Sequence, residues 1–392
     1  MVHKPRVLVI AGEFWPYSTD ASLRLIDWAH RLYDSGVAVT IACQRPVKHW
    51  PERVQLGPLP VVRFVKSSGW ASGQSRYYRK LADWIQRHAA EFDYFYFDSA
   101  SPALAAVFVR VAALSKPIVV RYDILRERQI GFETPKEEIW RPAKATLDFC
   151  RRADLIITPN VDSEQHLRAM GVVQTPVLRI ADRSSMVIER SIGARREARK
   201  ILANVNMDLA ARNNERVLLC PGQFDEHWRI KSLIDAVVPV AVRYPSLRVW
   251  LQGEGPTRLR IGEELRAAGV GQAILMPGVF TDFSELFQAA DMCIFPGTES
   301  GASFLIPTCL RNNIPLLVPK SKAMLNLCGD PHRSFYFDNN SQVGLREKLF
   351  AWLEDDTAAQ QDALAMQTRF SCENELPANP REIFDYLETS QQ

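Results

Sequence analysis

Short apolar runs alternate along this chain with longer stretches in which apolar residues recur every three or four positions. The run VLVIA at 7–11 ends in a loop. ASLRLIDWAHRLYDSG follows, with apolar residues at 23, 25, 26, 28, 29, 32 and 33. That is the spacing of one helix face, and Gly36 stands where a C-terminal cap belongs. VAVTIAC then supplies another strand. Strand, helix and strand so close together predict parallel strands with a covering helix. The alternation repeats: YYRKLADWIQRHAAEF reads as helix, DYFYFDS as strand, PALAAVFVRVAAL as helix, PIVVRYD as strand, RPAKATLDFCRRA as helix and DLIITPN as strand.

Residues 182–213 are charged and lack strand signals, which predicts a connector with some helix. A second alternating series then begins with RVLLCPG and runs through SLIDAVVPVAVRYP, LRVWLQGEGP, TRLRIGEELRAAGV, AILMPGV and FSELFQAA to DMCIFPG. A chain of 392 residues is too long for one ordinary core. The pattern predicts an α/β protein with two doubly wound, Rossmann-like parallel-sheet domains facing across a cleft. The expected boundaries are 1–181, a connector at 182–213, 214–372, and a C-terminal helix within 373–392 that packs back on the first domain.

Composition adds less. An apolar content of 47% with 24% charged residues is ordinary for a globular protein. Glu13 interrupts the first apolar run too early for a secretion leader, and no stretch reaches the ~20 apolar residues of a spanning helix. A cytoplasmic protein is expected, with peripheral contact at the inner face of a membrane left open. Seven scattered cysteines without a CxxC pair read as reduced thiols. Net charge is +3, but residues 1–180 carry +7 and the remainder −4. The basic half suits an anionic partner such as a membrane surface or acidic saccharide, and equally an indifferent asymmetry between domains. SRYYRKLADWIQR mixes Arg76, Arg79, Lys80 and Arg87 with aromatics. It reads either as an interfacial helix or as a solvated face with its aromatics turned inward.

Three loops end strands in the second series: CPGQFDEHWRIKS, LQGEGPTRL and FPGTESGASF. Glycine at a strand end lets backbone approach a ligand, or only makes the turn. Three in series favour a ligand, and the expected helix start after the third offers N–H groups to a diphosphate. His227 beside the first loop reads as an ordinary exposed histidine. No Asp-x-Asp pair ends a strand, so neither a metal nor another cofactor is expected, and no nucleic-acid partner is indicated.

The segment GEGPTRLRIGEELRAAGVGQAILMPGVFTDFSELFQAADMCIFPGTESG resembles the C-terminal domain of family-four retaining glycosyltransferases of the GT-B fold. VLVIAGEFWPYSTDASLRLIDWAHRLYDSGVAVTIAC, KPIVVRYD and RRADLIITPN are similar to that family's acceptor domain, so the resemblance covers about residues 5–320. It implies transfer of a sugar from a nucleotide diphosphate sugar to a saccharide or lipid-linked acceptor, with retention. Surface polysaccharide or glycoconjugate assembly is the implied setting.

The residue carry-over departs from the family in its charges. The family's glutamate pair falls on Ser300 and Thr308, with Glu299 one residue early. Its phosphate-gripping Arg and Lys fall on Gln223 and Trp228, with Arg229 and Lys231 close by. Its glycine pair falls on Ser18 and Thr19, and its His before Asp on Tyr122 before Asp123. The resemblance thus implies Gly222, Gln223, Arg229 and Lys231 at the phosphates. Glu299, Ser300, Gly301, Ala302, Ser303, Phe304 and Thr308 fall at the sugar and ribose, and Val279 against the base. Ser18, Thr19, Arg24, Tyr122 and Asp123 face the cleft or acceptor, Glu299 and Asp123 being the catalytic candidates. The replaced charges leave a second class open: a catalytically degenerate, glycosyltransferase-like binding or scaffolding protein.

Overall fold

Strands that are apolar on both faces stay soluble only when helices cover each side of the sheet, which requires parallel strands joined by crossovers. The computed structural model has this construction. It describes residues 4–17, 19–45, 50–65, 70–124, 143–180, 184–224, 228–297, 304–329, 333–338, 341–372 and 379–390. The chain divides into two units. The first is Met1–Phe14, Arg24–Asp182 and Leu376–Gln392; the second is Trp15–Leu23 and Arg183–Glu375.

The elements of the first half run β1 (Arg6–Ile10), α1 (Asp20–Asp34), β2 (Ala38–Arg45), β3 (Arg53–Leu56), β4 (Leu59–Val65), α2 (Trp70–His88), β5 (Tyr94–Phe97) and α3 (Pro102–Val111). Then come β6 (Ile118–Arg121), α4 (Lys144–Arg152), β7 (Leu155–Thr158), α5 (Val161–Ala169) and β8 (Val177–Arg179). Among the described residues the strands form one sheet in the order β3-β4-β2-β1-β5-β6-β7-β8. Every pair is parallel except β3 with β4, an edge hairpin that turns at Gly57 with φ +56°. The strand pattern had not marked this hairpin, whose prolines break its periodicity. Leu8, Ile10, Phe95, Phe97 and Val120 pack one face against Leu81, Ile85, Leu104 and Phe108 of α2 and α3. Phe149 of α4 stacks on Phe108 at 4.4 Å and meets Phe97 edge-on at 5.0 Å. On α2, Trp84 is buried against Phe64, Phe92 and His88 while Arg79, Lys80 and Arg87 are exposed.

The second half runs α6 (Ile192–Val205), β9 (Arg216–Pro221), α7 (Ile230–Arg243), β10 (Leu247–Gln252), α8 (Arg258–Ala267), β11 (Ile274–Gly278), α9 (Ser284–Ala289) and β12 (Met292–Ile294). It continues with α10 (Leu305–Arg311), β13 (Leu316–Pro319), α11 (Lys322–Cys328), β14 (Tyr336–Phe337), α12 (Gln342–Glu354) and α13 (Thr357–Cys372). Its sheet is parallel throughout, ordered β11-β10-β9-β12-β13-β14.

The stretch expected as a connector is part of this second unit. Helix α6 is capped by Ser191, whose hydroxyl accepts from Ala194 N–H. Its charges do not all face water. Arg199 is buried and donates to the carbonyls of Ala289, Arg212 and Glu215 and to the Asp291 carboxylate, the last at 2.7 Å. Arg195 pairs with the same carboxylate, which also accepts from Val217 N–H. A guanidinium has five donors in a rigid fork, so one side chain can lock a helix onto several carbonyls. The final helix, α14 (Glu382–Ser390), belongs to the first unit. There Phe384 packs on Tyr94, the Tyr94 hydroxyl donates to Glu388, and Arg381 donates to Ser35 O.

Candidate functional site

In a parallel sheet the loops leaving the carboxyl ends of the strands form the ligand face. In the second unit three such loops are tied together in series. Gly222 N–H donates to Gln252 O, Phe224 N–H to Glu254 O, and Gly253 N–H to Gly278 O, each at 2.9 Å. The glycines serve this nesting. A Cβ on Gly253 would lie 1.7 Å from the Gly222 carbonyl oxygen, and one on Gly255 2.4 Å from that of Phe224. A Cβ on Gly222 would lie 2.2 Å from the Trp228 ring. Gly222, expected to give a phosphate access to backbone, instead gives that space to an indole. Trp228 is 6% exposed and occupies the position where the resemblance expects a lysine. Arg258, which the sequence did not single out, clamps the cluster by donating to Gly253 O and Met276 O, with Phe224 beneath its guanidinium.

Beyond the first loop the chain enters α7 through Arg229, whose backbone is left-handed at φ +51°. Its side chain is half-buried, and no carboxylate among the described residues pairs with it. Lys231 is different. It was expected at the phosphates, but its side chain is 56% exposed and its ammonium lies 3.2 Å from Asp235 and 3.5 Å from Glu264. Asp235, one turn along α7, hydrogen-bonds the ammonium and raises its pKa. The one-turn spacing turns Lys231 to the solvent face of its helix. Gln223 and Val279 are half-buried at the ends of β9 and β11.

The third loop follows β12. Glu299, Ser300, Gly301, Ala302 and Ser303 lie outside the described residues, as do Ser18 and His227. Phe304 and Thr308 are described and are buried, not presented to a ligand. The Thr308 hydroxyl donates to Phe304 O at 2.7 Å, and the Thr308 carbonyl accepts from Asn312. The Leu305 N–H at the start of α10 is also taken: it donates to Asp20 Oδ1 at 2.8 Å, within the second unit. Sequence reasoning missed Asp20, because an acidic residue in a first helical turn is unremarkable and its partner lies 285 positions away. Thr19 is the cap of α1, its hydroxyl accepting from Ser22 N–H.

In the first unit the strand ends are charged but closed. Arg24 is buried and bonded to Asp98, which is fully buried after β5. Its charge is met there by that carboxylate. Arg121 lies 3.8 Å from Asp123, and both are buried. Tyr122, expected to face an acceptor, points into the core, where its hydroxyl shares a 2.8 Å hydrogen bond with His166 Nδ1. Asp98 and Arg121 had no motif to mark them. The six cysteines with described side chains are buried thiols. Burial pushes the Cys43 thiol up to about 12 and raises Cys220 further, so neither is a nucleophile at neutral pH. Among the described residues no cluster of His, Cys, Asp and Glu could hold a metal ion, and no helix is long and apolar enough to cross a membrane.

No protein-family model matches this chain, and no curated protein matches it by sequence. Solved structures do match it over nearly its whole length. Sucrose-phosphate synthase from Thermosynechococcus elongatus is 13% identical with a TM-score of 0.65, over 98% of this chain and 99% of that one. Anabaena HepE in complex with UDP and glucose is 16% identical with a TM-score of 0.66, over 98% and 100%. WaaG, a glycosyltransferase involved in lipopolysaccharide biosynthesis, is 14% identical with a TM-score of 0.64, over 97% and 99%. At these identities the likeness establishes the fold, and that fold is the two-domain α/β architecture of the GT-B glycosyltransferases.

Proposed function

We propose that this chain is a glycosyltransferase that takes its sugar from a nucleotide diphosphate sugar. The observation that carries the reading is Arg229: a half-buried cation without a carboxylate partner among the described residues, held in a left-handed conformation at the N-terminus of a 14-residue helix. A non-glycine residue in that region costs about 1–3 kcal/mol, which accumulates where surrounding structure serves a site. The first-turn N–H groups of α7 and the Arg229 guanidinium together form a positive end suited to a diphosphate.

In transfer, negative charge develops on the departing diphosphate as the bond to the sugar breaks. A charge-assisted bond from Arg229 and the helix amides stabilises that charge without a metal. With Trp228 filling the second cationic position and Lys231 turned outward, Arg229 is the one positive side chain assigned to this step. HepE is described with UDP-glucose, and starch synthase IV with ADP and acarbose; these support a nucleoside diphosphate as the leaving group here. Retention, with the departing phosphate taking the acceptor proton, and a saccharide or lipid-linked acceptor in glycoconjugate assembly complete the proposal.

The test is a calorimetric panel of UDP, ADP, GDP, CDP and TDP against the full chain. Saturable binding of one nucleotide above the others is the expected result. Silence across the panel would overturn the reading in favour of a non-catalytic binding protein.

A further inference from the structure

We propose that Arg258 is a positioning residue of the donor site, holding the loops that leave β10 and β11 in the shape that receives the nucleobase and so setting which base is preferred; the inference rests on the glycosyl-transfer reading above. Arg258 opens α8, where a cation works against the helix dipole, and the first turn of that helix holds no acidic residue. The helix itself therefore gives no reason for an arginine there. Its contacts do. Nη1 donates to Gly253 O at 3.2 Å and Nη2 to Met276 O at 2.8 Å, across two different strand-end loops. Phe224, from the loop leaving β9, lies under the guanidinium at 6.0 Å, and Glu254 pairs with it at 3.3 Å.

These ties fall where the sheet stops supplying its own. The pairing of β10 with β11 runs Val249 to Ile274 and Trp250 to Leu275, then shifts so that Gln252 meets Gly278. Leu251 of β10 thus faces both Met276 and Pro277, a bulge at the end of β11, and Pro277 has no N–H to give. Arg258 holds Met276 O, Asn206 donates to Pro277 O at 3.1 Å, and Gly253 N–H donates to Gly278 O at 2.9 Å. Three successive carbonyls are therefore fixed from outside the strand, two of them by side chains. Bulges recur beside binding sites, where they end pairing and re-aim the chain.

The sheet order β11-β10-β9 puts this wall on one side of the β9 loop, which leads to Arg229 and the phosphates. A sugar needs acceptors for its hydroxyls, and these three carbonyls already accept. A nucleobase needs a flat wall with space in front of it. An added Cβ on Gly278, at φ +98°, would meet no atom of the described residues within 4 Å. Half-buried Val279 follows. The base therefore lies on this side with its diphosphate at Arg229, and Arg258 acts on it through Met276 and Gly253 without touching it.

The experiment compares wild type with Arg258→Ala, Arg258→Lys and Asn206→Ala in the full chain. Calorimetry gives the affinities for UDP, ADP, GDP, CDP, TDP and inorganic pyrophosphate, and a calorimetric scan gives melting. Pyrophosphate has no base, so it reports the phosphate end alone. In Arg258→Ala the preferred nucleoside diphosphate should lose about tenfold in affinity, the scale of one hydrogen bond from a charged donor. Its margin over the other nucleotides should shrink with it, while pyrophosphate affinity stays within about twofold. Arg258→Lys keeps the charge and one donor and should recover part of the preference. Asn206→Ala releases Pro277 O without touching α8 and should shrink the preference in the same sense. Three results overturn the inference: an unchanged base preference in Arg258→Ala; an equal loss for pyrophosphate, which would place Arg258 at the phosphates; or an equal loss for every nucleoside diphosphate with the preference intact, the mark of a merely structural residue. If Arg258→Ala does not fold, an unshifted preference in both Arg258→Lys and Asn206→Ala overturns it. If wild type binds no nucleoside diphosphate, the functional reading falls first and takes the inference with it; if it binds all of them alike, the inference alone falls.

Discussion

At the carboxyl end of the first sheet Arg24 is bonded to Asp98, and Arg121 lies 3.8 Å from Asp123, all four buried. At the carboxyl end of the second, Arg229 is half-buried with no carboxylate partner among the described residues. Both faces carry charge, but the first pairs these cations with carboxylates, whereas Arg229 has no such partner among the described residues. A buried charge survives only when paired and hydrogen-bonded, so closed pairs describe how loops are held. A half-exposed cation without a partner retains its full capacity for an incoming anion. The comparison separates fixtures of the fold from groups that remain available for chemistry.

The largest effect is expected on the closed side. Asp98→Ala leaves the buried Arg24 guanidinium without its carboxylate, which costs about 3–5 kcal/mol when one partner of a buried pair is removed. Urea unfolding should show the midpoint falling by that amount. A loss under 1 kcal/mol would mean that this pair is not a structural fixture. On the open side the order reverses. Arg229→Ala should weaken binding of the preferred nucleoside diphosphate by about ten- to a hundredfold, the loss of one charge-assisted bond. Its unfolding midpoint should stay within about 0.5 kcal/mol of wild type, the usual range for a surface change away from special features, or rise through relief of the left-handed backbone. Equal nucleotide affinity in the two proteins would place the phosphates elsewhere.

Much of the fold was legible because both sheets are built from uninterrupted apolar strands and one-faced helices, and these patterns survive without any knowledge of the partner surface. The edge hairpin was not, since Gly57 and its flanking prolines imitate a loop. The stretch expected as a connector with some helix does carry a helix, but its charges give no hint of their partners: Arg199 spends its donors on buried carbonyls. At the candidate site the glycines at 222, 253 and 255 were found as a set, but their purpose was not. One sequence cannot distinguish a glycine that admits a ligand from one that admits Trp228 or a neighbouring loop. Arg229 and Lys231 looked equivalent two residues apart, and only the helix phase separates them. Asp20 gave no signal, because its meaning lies in an amide 285 positions away.

A smaller effect tests whether closed polar contacts of the first unit respond to pH as closed contacts should. Burial, and secondly the nearby Glu388 carboxylate, push the Tyr94 phenol up to about 12. The folded chain therefore keeps a proton that the unfolded chain begins to release near pH 10. The stability held at this contact is fully present below pH 10 and is lost as pH rises towards 12. Unfolding midpoints at pH 9, 10 and 11 should fall more steeply in wild type than in Tyr94→Phe, where this group no longer titrates. Identical slopes would remove Tyr94 from the set of closed contacts.

The smallest effect is the sharpest check on the comparison, because Lys231 lies two residues from Arg229 and carries the same charge. Its ammonium already has Asp235 and Glu264 as partners, at the surface, where water screens the pairs and each contributes about 0–1 kcal/mol. Lys231→Ala should therefore leave the unfolding midpoint within about 1 kcal/mol and nucleotide affinity unchanged. Side by side with Arg229→Ala, it asks whether proximity or partnership decides what a cation does. A tenfold loss of nucleotide affinity in Lys231→Ala would mean that Asp235 and Glu264 release the ammonium when a phosphate arrives. Pairing in the unliganded chain would then no longer separate fixture from site, and Arg24 would return as a candidate on the same footing.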